Sequence, residues 1–174
     1  MRSVAELAGV SVETVYKTFG GKPGMVKALW DTTLAGDDEP VSMADRAEIR
    51  EVLRTTEPGA KLRLYAAFVR GIHERIAPLF TLLTQAGPDV GEVLELGERE
   101  RFTGVTAFVA HLDETAVLGP DADPAYVADV LWALAGPQLY TQLTVGRGWS
   151  SDLYEEWLAA TLTATLIPPS RRDR

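Results

Sequence analysis

The sequence predicts an all-α fold, in which a small helical head precedes a larger helical domain. Apolar residues recur at helical spacing along most of the chain, and glycine and proline divide it into segments. The sequence lacks the period-two alternation and the tight hairpin turns that are typical of strands. The chain has 174 residues, of which 46% are hydrophobic, so a sizeable core can form.

Three short helices are predicted in the head, which we place at 1–36. The first covers 3–8 and ends at Gly9, because glycine is common just after a helix C-terminus. Ser11 is a favourable N-cap for a second helix over 12–19. A glycine pair then ends this helix, and a third helix is predicted over 22–34.

A polar linker over 35–45, which includes Pro40, separates the head from the larger domain at 46–167. That domain is predicted to be helical throughout, with breaks at proline and glycine. Its predicted helices cover 46–54, 60–74, 79–85 after Pro78, 89–112 after Gly87-Pro88, 124–143 with a kink at Gly136-Pro137, and a last segment from Ser150 or Ser151 to just before Pro168.

Charge and cysteine content limit the classes of function. The net charge of −8 argues against nucleic-acid binding if it is taken for the whole chain. However, the segment 1–36 has a net charge of +1 and the rest of the chain a net charge of −9, so the acidic residues lie mostly outside the head. The lack of cysteine excludes disulfides and thiolate metal sites. No long apolar run and no signal-peptide pattern occurs, so we expect a cytoplasmic protein without a membrane span.

The second predicted helix has one apolar and one polar face. We expect the apolar face to pack against the neighbouring helices and the polar face, which is short and unbulky, to suit insertion into a DNA major groove. The apolar face consists of Val12, Val15, Tyr16 and Phe19, and the polar face of Glu13, Thr14, Lys17 and Thr18.

The head resembles the TetR family of bacterial transcriptional regulators. The resemblance covers about 22 residues: the spacing of Ser11, Thr14, Val15, Tyr16, Phe19 and Lys22, and the preceding segment 5–11. It implies a helix-turn-helix head, a ligand-binding and dimerisation domain, and a homodimeric repressor that binds operator DNA and responds to a small-molecule effector.

The resemblance also implies a role for each matching polar residue. Thr14 and Lys17 would lie near bases and phosphates, and Tyr16 would offer its hydroxyl to a phosphate. Ser11 would cap the recognition helix and touch the DNA backbone. Lys22 would open the next helix, where its charge and the free amides favour a phosphate.

Three features depart from the family pattern. Glu13 replaces a small residue and could bind a cytosine amino group, repel phosphate or turn to solvent. Pro23-Gly24 is expected to loosen the start of the third helix. The family has a complete helix before the segment that begins at Arg2, and it normally covers Leu7, Val15 and Phe19. Three explanations are open: a late start of the given sequence, upstream residues left out of it, or a genuine truncation.

The larger domain is expected to hold an apolar effector pocket between its helices. The resemblance implies the pocket, and the inward-facing aromatic residues are its candidate lining, although each could be a plain core residue. The aromatic candidates are Tyr65, Phe68, Phe80, Phe102, Phe108, Trp132 and Tyr140, and the polar candidates are His73, Gln85, Thr106 and Gln138.

The last two predicted helices are apolar on more than one face, which favours a dimer interface, although internal core is the alternative. The residues that carry this pattern are Val127, Val130, Leu131, Leu134, Leu139 and Leu143 in one helix and Leu153, Trp157, Leu158, Thr161, Leu162 and Leu166 in the other.

An enzyme is not expected, and neither is a cofactor or metal. The two histidines, His73 and His111, lie in unrelated predicted helices without a close acidic pair, and the glutamates over 92–100 are typical of a solvated helix face. Two other functions remain open beside the repressor: a dimeric small-molecule-binding protein that lacks DNA binding because its first helix is absent, and an unrelated helical enzyme.

Overall fold

The computed structural model describes residues 1–39, 41–86 and 90–167. Within these ranges the chain is helical and contains no strand, so the predicted all-α class is confirmed. The helices are α1 (Arg2–Ala8), α2 (Val12–Phe19), α3 (Lys22–Ala35), a 3-10 turn (Met43–Asp45), α4 (Ala47–Arg54), α5 (Pro58–Thr84), α6 (Gly91–Glu114), α7 (Pro124–Leu134), α8 (Pro137–Arg147) and α9 (Ser151–Leu166). The predictions at Pro40, at Gly87-Pro88 and beyond 167 lie outside the described residues.

Local signals determine the ends of α1 and α2. Gly9 has φ of 65°, a left-handed conformation that favours glycine, and its backbone amide reaches back to α1. Ser11 adopts an extended backbone, and its side chain accepts a hydrogen bond from the Thr14 amide at 3.0 Å. α2 ends at Gly20, which is again left-handed. The predicted bounds of α2 are therefore confirmed.

The start of α3 is packed closely against the end of α2. Lys22 and Pro23 open the helix, and the proline is tolerated because the first-turn amides have no helical partner. A Cβ on Gly24 would overlap the backbone carbonyl of Phe19. The Pro23-Gly24 pair, which predicted a loose helix start, thus lies in an intact first turn, and the glycine is required there for space.

α5 is the central helix, and it packs against α3, α4, α8 and α9. The sequence predicts a helix that ends at residue 74 and a new one after Pro78, but α5 runs without a break through Pro78. A proline inside a helix costs about 3 kcal/mol. The apolar side chains of Ile76, Phe80 and Leu83 are buried on both sides of it, and this packing offsets the cost.

The prediction of one kinked helix over 124–143 is wrong in the opposite sense, because the helix is interrupted there. Two helices replace it, because α7 ends at Leu134 and α8 begins at Pro137. Gly136 has an extended backbone with ψ of 149°, which is what a following proline favours. A complete break therefore takes the place of the predicted kink.

Two apolar clusters hold the helices together. The larger joins α4 to α9 around α5, and Leu62, Leu112, Leu131, Leu158 and Leu162 are fully buried within it. The smaller joins α3 to α5 and α6, where Trp30 packs with residues such as Phe80 and Val93. The head is therefore attached to the larger domain chiefly through Trp30.

Internal packing accounts for most of the apolar excess that favoured a dimer interface. Val127, Leu131, Leu134 and Leu143 belong to the larger cluster or pack against it, and so do the leucines of α9 except Leu153. The large apolar residues that remain exposed on α7, α8 and α9 are Tyr126, Trp132, Val145 and Leu153. In the described part of the chain, no helix is both long and apolar enough to cross a bilayer.

Candidate nucleic-acid interface and ligand cavity

The polar face of α2 is exposed as predicted. Glu13, Thr14, Lys17 and Thr18 all lie in solvent, and so do Ser11, Tyr16 and Lys22. Every residue that the family resemblance places at DNA is thus accessible, around α2 and the first turn of α3.

Hydrogen bonds hold the start of α2 in a fixed conformation. The hydroxyls of Ser11 and Thr14 are 2.8 Å apart, and the Thr18 hydroxyl donates to the Thr14 carbonyl at 2.9 Å. The Thr14 hydroxyl is therefore engaged in the cap, while its methyl group remains available. Since thymine presents a methyl group in the major groove, this arrangement suits an apolar contact there.

The apolar face of α2 is less buried than its pattern predicts. Val15 is buried, but Val12 and Tyr16 are exposed, the latter by 51%, and Phe19 is half-buried. The physical reason is that α2 packs mainly on α1 and α3. Of Leu7, Val15 and Phe19, which the first helix of the family normally covers, Val15 is buried and Leu7 is 91% exposed.

A cavity of about 910 Å³ lies between α3, residues 37–39 and 41–44, α5 and α6. Its size falls within the range of roughly 300–1,000 Å³ that is typical of small-molecule sites. The residues of α5 and α6 that line it include Val69, Ile72, Ile76 and Val105, so much of the wall is apolar. The described residues that follow the head, 37–39 and 41–44, therefore form part of the wall.

Three of the seven aromatic candidates line this cavity: Tyr65, Phe68 and Phe108. The rings of Tyr65 and Phe108 are stacked, with centroids 4.2 Å apart and planes at 9°. They form a flat surface on which another ring could stack.

The other four aromatic candidates lie outside the cavity. Phe80 is buried in the smaller cluster, and Tyr140 is buried in the larger one, where its ring meets Tyr154. Phe102 and Trp132 were expected to face inward, but both are exposed and pack edge-to-face on each other. The expectation failed because helical spacing defines a face without defining which face turns inward.

His73 is the one polar candidate that lines the cavity. It is 3% exposed, and burial, helped by the charge of Arg101, lowers the pKa of its imidazole to about 3. His73 is therefore neutral at neutral pH. Gln138 donates to Glu98 and Thr106 donates to the Phe102 carbonyl, and neither lines the cavity, nor does Gln85.

Sequence reasoning missed Trp30, Gly97 and Gly104 as cavity residues. Apolar spacing along one helix does not distinguish a cavity residue such as Trp30 from a core residue. Glycine usually weakens a helix, but α6 is continuous through both Gly97 and Gly104. Their spacing of one heptad places them on the same side of α6, which was the signal available in the sequence. A Cβ on Gly97 would lie 3.0 Å from Trp30 Nε1, so the glycine permits close approach of α3.

A second buried polar group adjoins the cavity. Lys61 is 1% exposed, its Nζ lies 2.8 Å from Nε2 of His111, and burial lowers its pKa. The same His111 nitrogen lies 3.1 Å from the Leu53 carbonyl. Among the described residues, no group of three or more histidine, aspartate or glutamate side chains has the arrangement of a metal site.

Comparison with protein-family models, with curated proteins and with solved structures gave no match for this chain. The functional argument therefore depends on the residues and distances described above. Those residues form an exposed polar helix at one end of α3 and a partly apolar cavity at the other.

Proposed function

We propose that the chain is a TetR-type transcriptional regulator, and by that resemblance a repressor, which binds operator DNA as a homodimer and responds to a small molecule. The main observation in support of this proposal is the position of α3. Its first turn adjoins the end of α2 at Gly24, and its second half lines the cavity through Trp30 and Leu34. A single helix therefore contacts both candidate sites.

The DNA-binding part of the proposal is supported by the exposed face of α2. In it, Thr14 and Lys17 lie near both bases and phosphates, while Ser11, Tyr16 and Lys22 contact the phosphate backbone. Phosphate contacts orient a protein on DNA and carry little sequence information. We therefore assign most of the affinity to the phosphate contacts, including that of Lys17, and most of the sequence preference to Thr14.

The coupling between DNA and ligand is supported by the anchoring of α3. The Arg75 guanidinium donates to the Leu34 carbonyl at 2.8 Å, and Lys27 pairs with Glu100 at 3.4 Å, so both α5 and α6 hold the helix. A 14-residue helix is roughly 21 Å long, so a small rotation at the cavity displaces α2. Ligand and DNA then favour different orientations of α3, and each weakens the binding of the other.

The homodimer is supported by the apolar side chains left exposed on α8 and α9. Val145 is 72% exposed and Leu153 is also exposed. Light scattering of the wild type should give twice the chain mass, and Val145→Glu should reduce it to the chain mass. Leu82→Glu, a matched change at an exposed leucine of α5, should keep the dimer. A monomeric wild type would contradict the proposed assembly.

The direct test of DNA recognition is selection from a random double-stranded DNA library. A homodimer should enrich an inverted repeat whose half-sites are roughly 34–36 Å apart, or a multiple of that, because two symmetry-related helices enter major grooves on one face of the duplex. Enrichment of no sequence at low salt would contradict the proposal.

The apolar surface of the head favours one alternative, a dimeric small-molecule-binding protein that does not bind DNA. Leu7 is almost fully exposed, and Tyr16 and Leu29 are about half exposed, so the head holds α2 through few buried contacts. Under this alternative the cavity would bind its ligand while the library selection enriched nothing.

A further inference from the structure

Two buried ring nitrogens in the cavity wall have no hydrogen-bond partner among the described residues. They are Nε1 of Trp30 and Nδ1 of His73, and both residues line the cavity. A buried polar group left without a partner costs about 1–3 kcal/mol. Since such groups are rare in folded proteins, each of them points to a partner that arrives from the cavity.

The chemistry of Trp30 determines which kind of group the ligand must carry. Its side chain is 5% exposed, and its indole nitrogen faces Gly97 of α6 at a distance that leaves no room for a Cβ. An indole N–H only donates. A ligand that satisfies it must therefore carry an acceptor, such as a carbonyl or ether oxygen.

The charges of the wall argue against an anionic ligand. Both cations of the lining are already paired, Lys27 with Asp31 and Glu100, and Arg101 with Glu98. The neutral imidazole of His73 adds no positive charge. Carboxylates outnumber cations in the lining by six to two; they are Asp31, Asp37, Asp38, Glu39, Glu98 and Glu100.

We propose that the cavity takes a mainly aromatic molecule that carries no negative charge and whose oxygen accepts a hydrogen bond from Trp30 Nε1. Its ring lies in the apolar part of the wall, near the stacked pair of Tyr65 and Phe108. The inference rests on the proposed function, because it names the chemical class of the effector. It also makes Trp30, the buried residue of α3, the group that senses the ligand.

The test uses three probes that share one ring system and one site of substitution: acetylnaphthalene, ethylnaphthalene and naphthoate. Isothermal titration with wild-type protein should show that the ketone binds about 3–10-fold more tightly than the hydrocarbon, as one hydrogen bond predicts. The carboxylate should bind more weakly than the ketone. This comparison needs no variant, so it holds whether or not a variant folds.

Trp30→Phe keeps an aromatic ring and removes the donor. The advantage of the ketone over the hydrocarbon should fall to about one, while the affinity for the hydrocarbon changes little. Trp149→Phe is the matched control, because Trp149 lies between α8 and α9 outside the cavity, and it should keep the full advantage.

Three results would overturn this inference: naphthoate binding as tightly as the ketone, a ketone advantage that survives Trp30→Phe, or no binding of any naphthalene. DNA binding is measured on the same preparation. A preparation that shows the predicted ketone advantage but binds no DNA supports the ligand class and contradicts the regulator. One that binds DNA but fails the probe comparison contradicts only the ligand class.

Discussion

The head and the larger domain differ in how their structure is specified. The three helices of the head bury only Ala5, Val15 and Trp30 among their apolar side chains, and caps and glycines define their ends. The larger domain has a continuous core around α5, and its helices α5 and α6 form much of the cavity wall. The head thus depends on local interactions that a sequence motif can encode. The cavity depends on how distant segments come together.

The largest expected effect is on the stability of the larger domain. Leu158→Ala should lower the free energy of unfolding by about 2–5 kcal/mol, because Leu158 is fully buried in the larger cluster. Leu7→Ala is the matched change in the head and should cost under about 0.5 kcal/mol, since its side chain is exposed. Urea denaturation measures both. Equal losses would contradict the contrast between the two regions.

The next effect is a pH dependence that arises from His73. Its pKa is lowered from 6.5 to about 3 in the folded state, so between these values the unfolded chain binds more protons. Stability is complete above pH 6.5 and falls by up to about 1.4 kcal/mol per pH unit below it. Denaturation of wild type at pH 7.5 and 5 should therefore differ by roughly 2 kcal/mol. His73→Leu should remove most of that difference, and an unchanged difference would show that another group titrates.

A somewhat smaller effect is expected on ligand binding when the cavity is filled from α6. Gly104 lines the cavity, and a Cβ there would meet open space. Gly104→Leu should weaken acetylnaphthalene binding at least about tenfold, which corresponds to about 1.4 kcal/mol. Gly146→Leu makes the same change at an exposed helical glycine outside the cavity. If both variants bind as wild type does, the ligand does not occupy this cavity.

The smallest effect separates two groups of DNA contacts in the head. Tyr16→Phe and Lys22→Ala should each weaken binding by about 1 kcal/mol, by a similar factor on every DNA sequence, because they remove phosphate contacts. Thr14→Ala should instead change which sequences are preferred. Fluorescence anisotropy on the selected site and on single-base variants of it measures both. If all three variants changed affinity and sequence preference in the same way, the distinction between phosphate contacts, which orient the protein, and base contacts, which determine sequence preference, would be contradicted.

The sequence predicted what local chemistry controls. The Ser11 cap and the Gly9 and Gly20 turns fixed the bounds of α2, and they were read correctly. The continuation of α5 through Pro78 could not be predicted, because it depends on the burial of Phe80 and Leu83 against other helices.

The cavity was only partly predictable for a similar reason. Tyr65 and Phe108 were found because they lie on apolar helical faces, but the same rule selected Phe102 and Trp132, which are exposed. Trp30 belongs to the cavity only because Gly97 lets α3 approach α6. A residue whose role depends on contact between distant segments cannot be recognised from spacing along one helix.

The central claim is that α2 binds DNA, and the salt dependence of binding tests it most directly. Anisotropy of the wild-type chain on the selected duplex should show log K falling linearly with log salt, with a slope of about −3.5 or steeper. Lys17 and Lys22 from two subunits contribute four phosphate contacts, at about −0.9 each. Lys17→Ala should make the slope shallower by about 2. Binding without salt dependence, or no binding at low salt, would contradict the account.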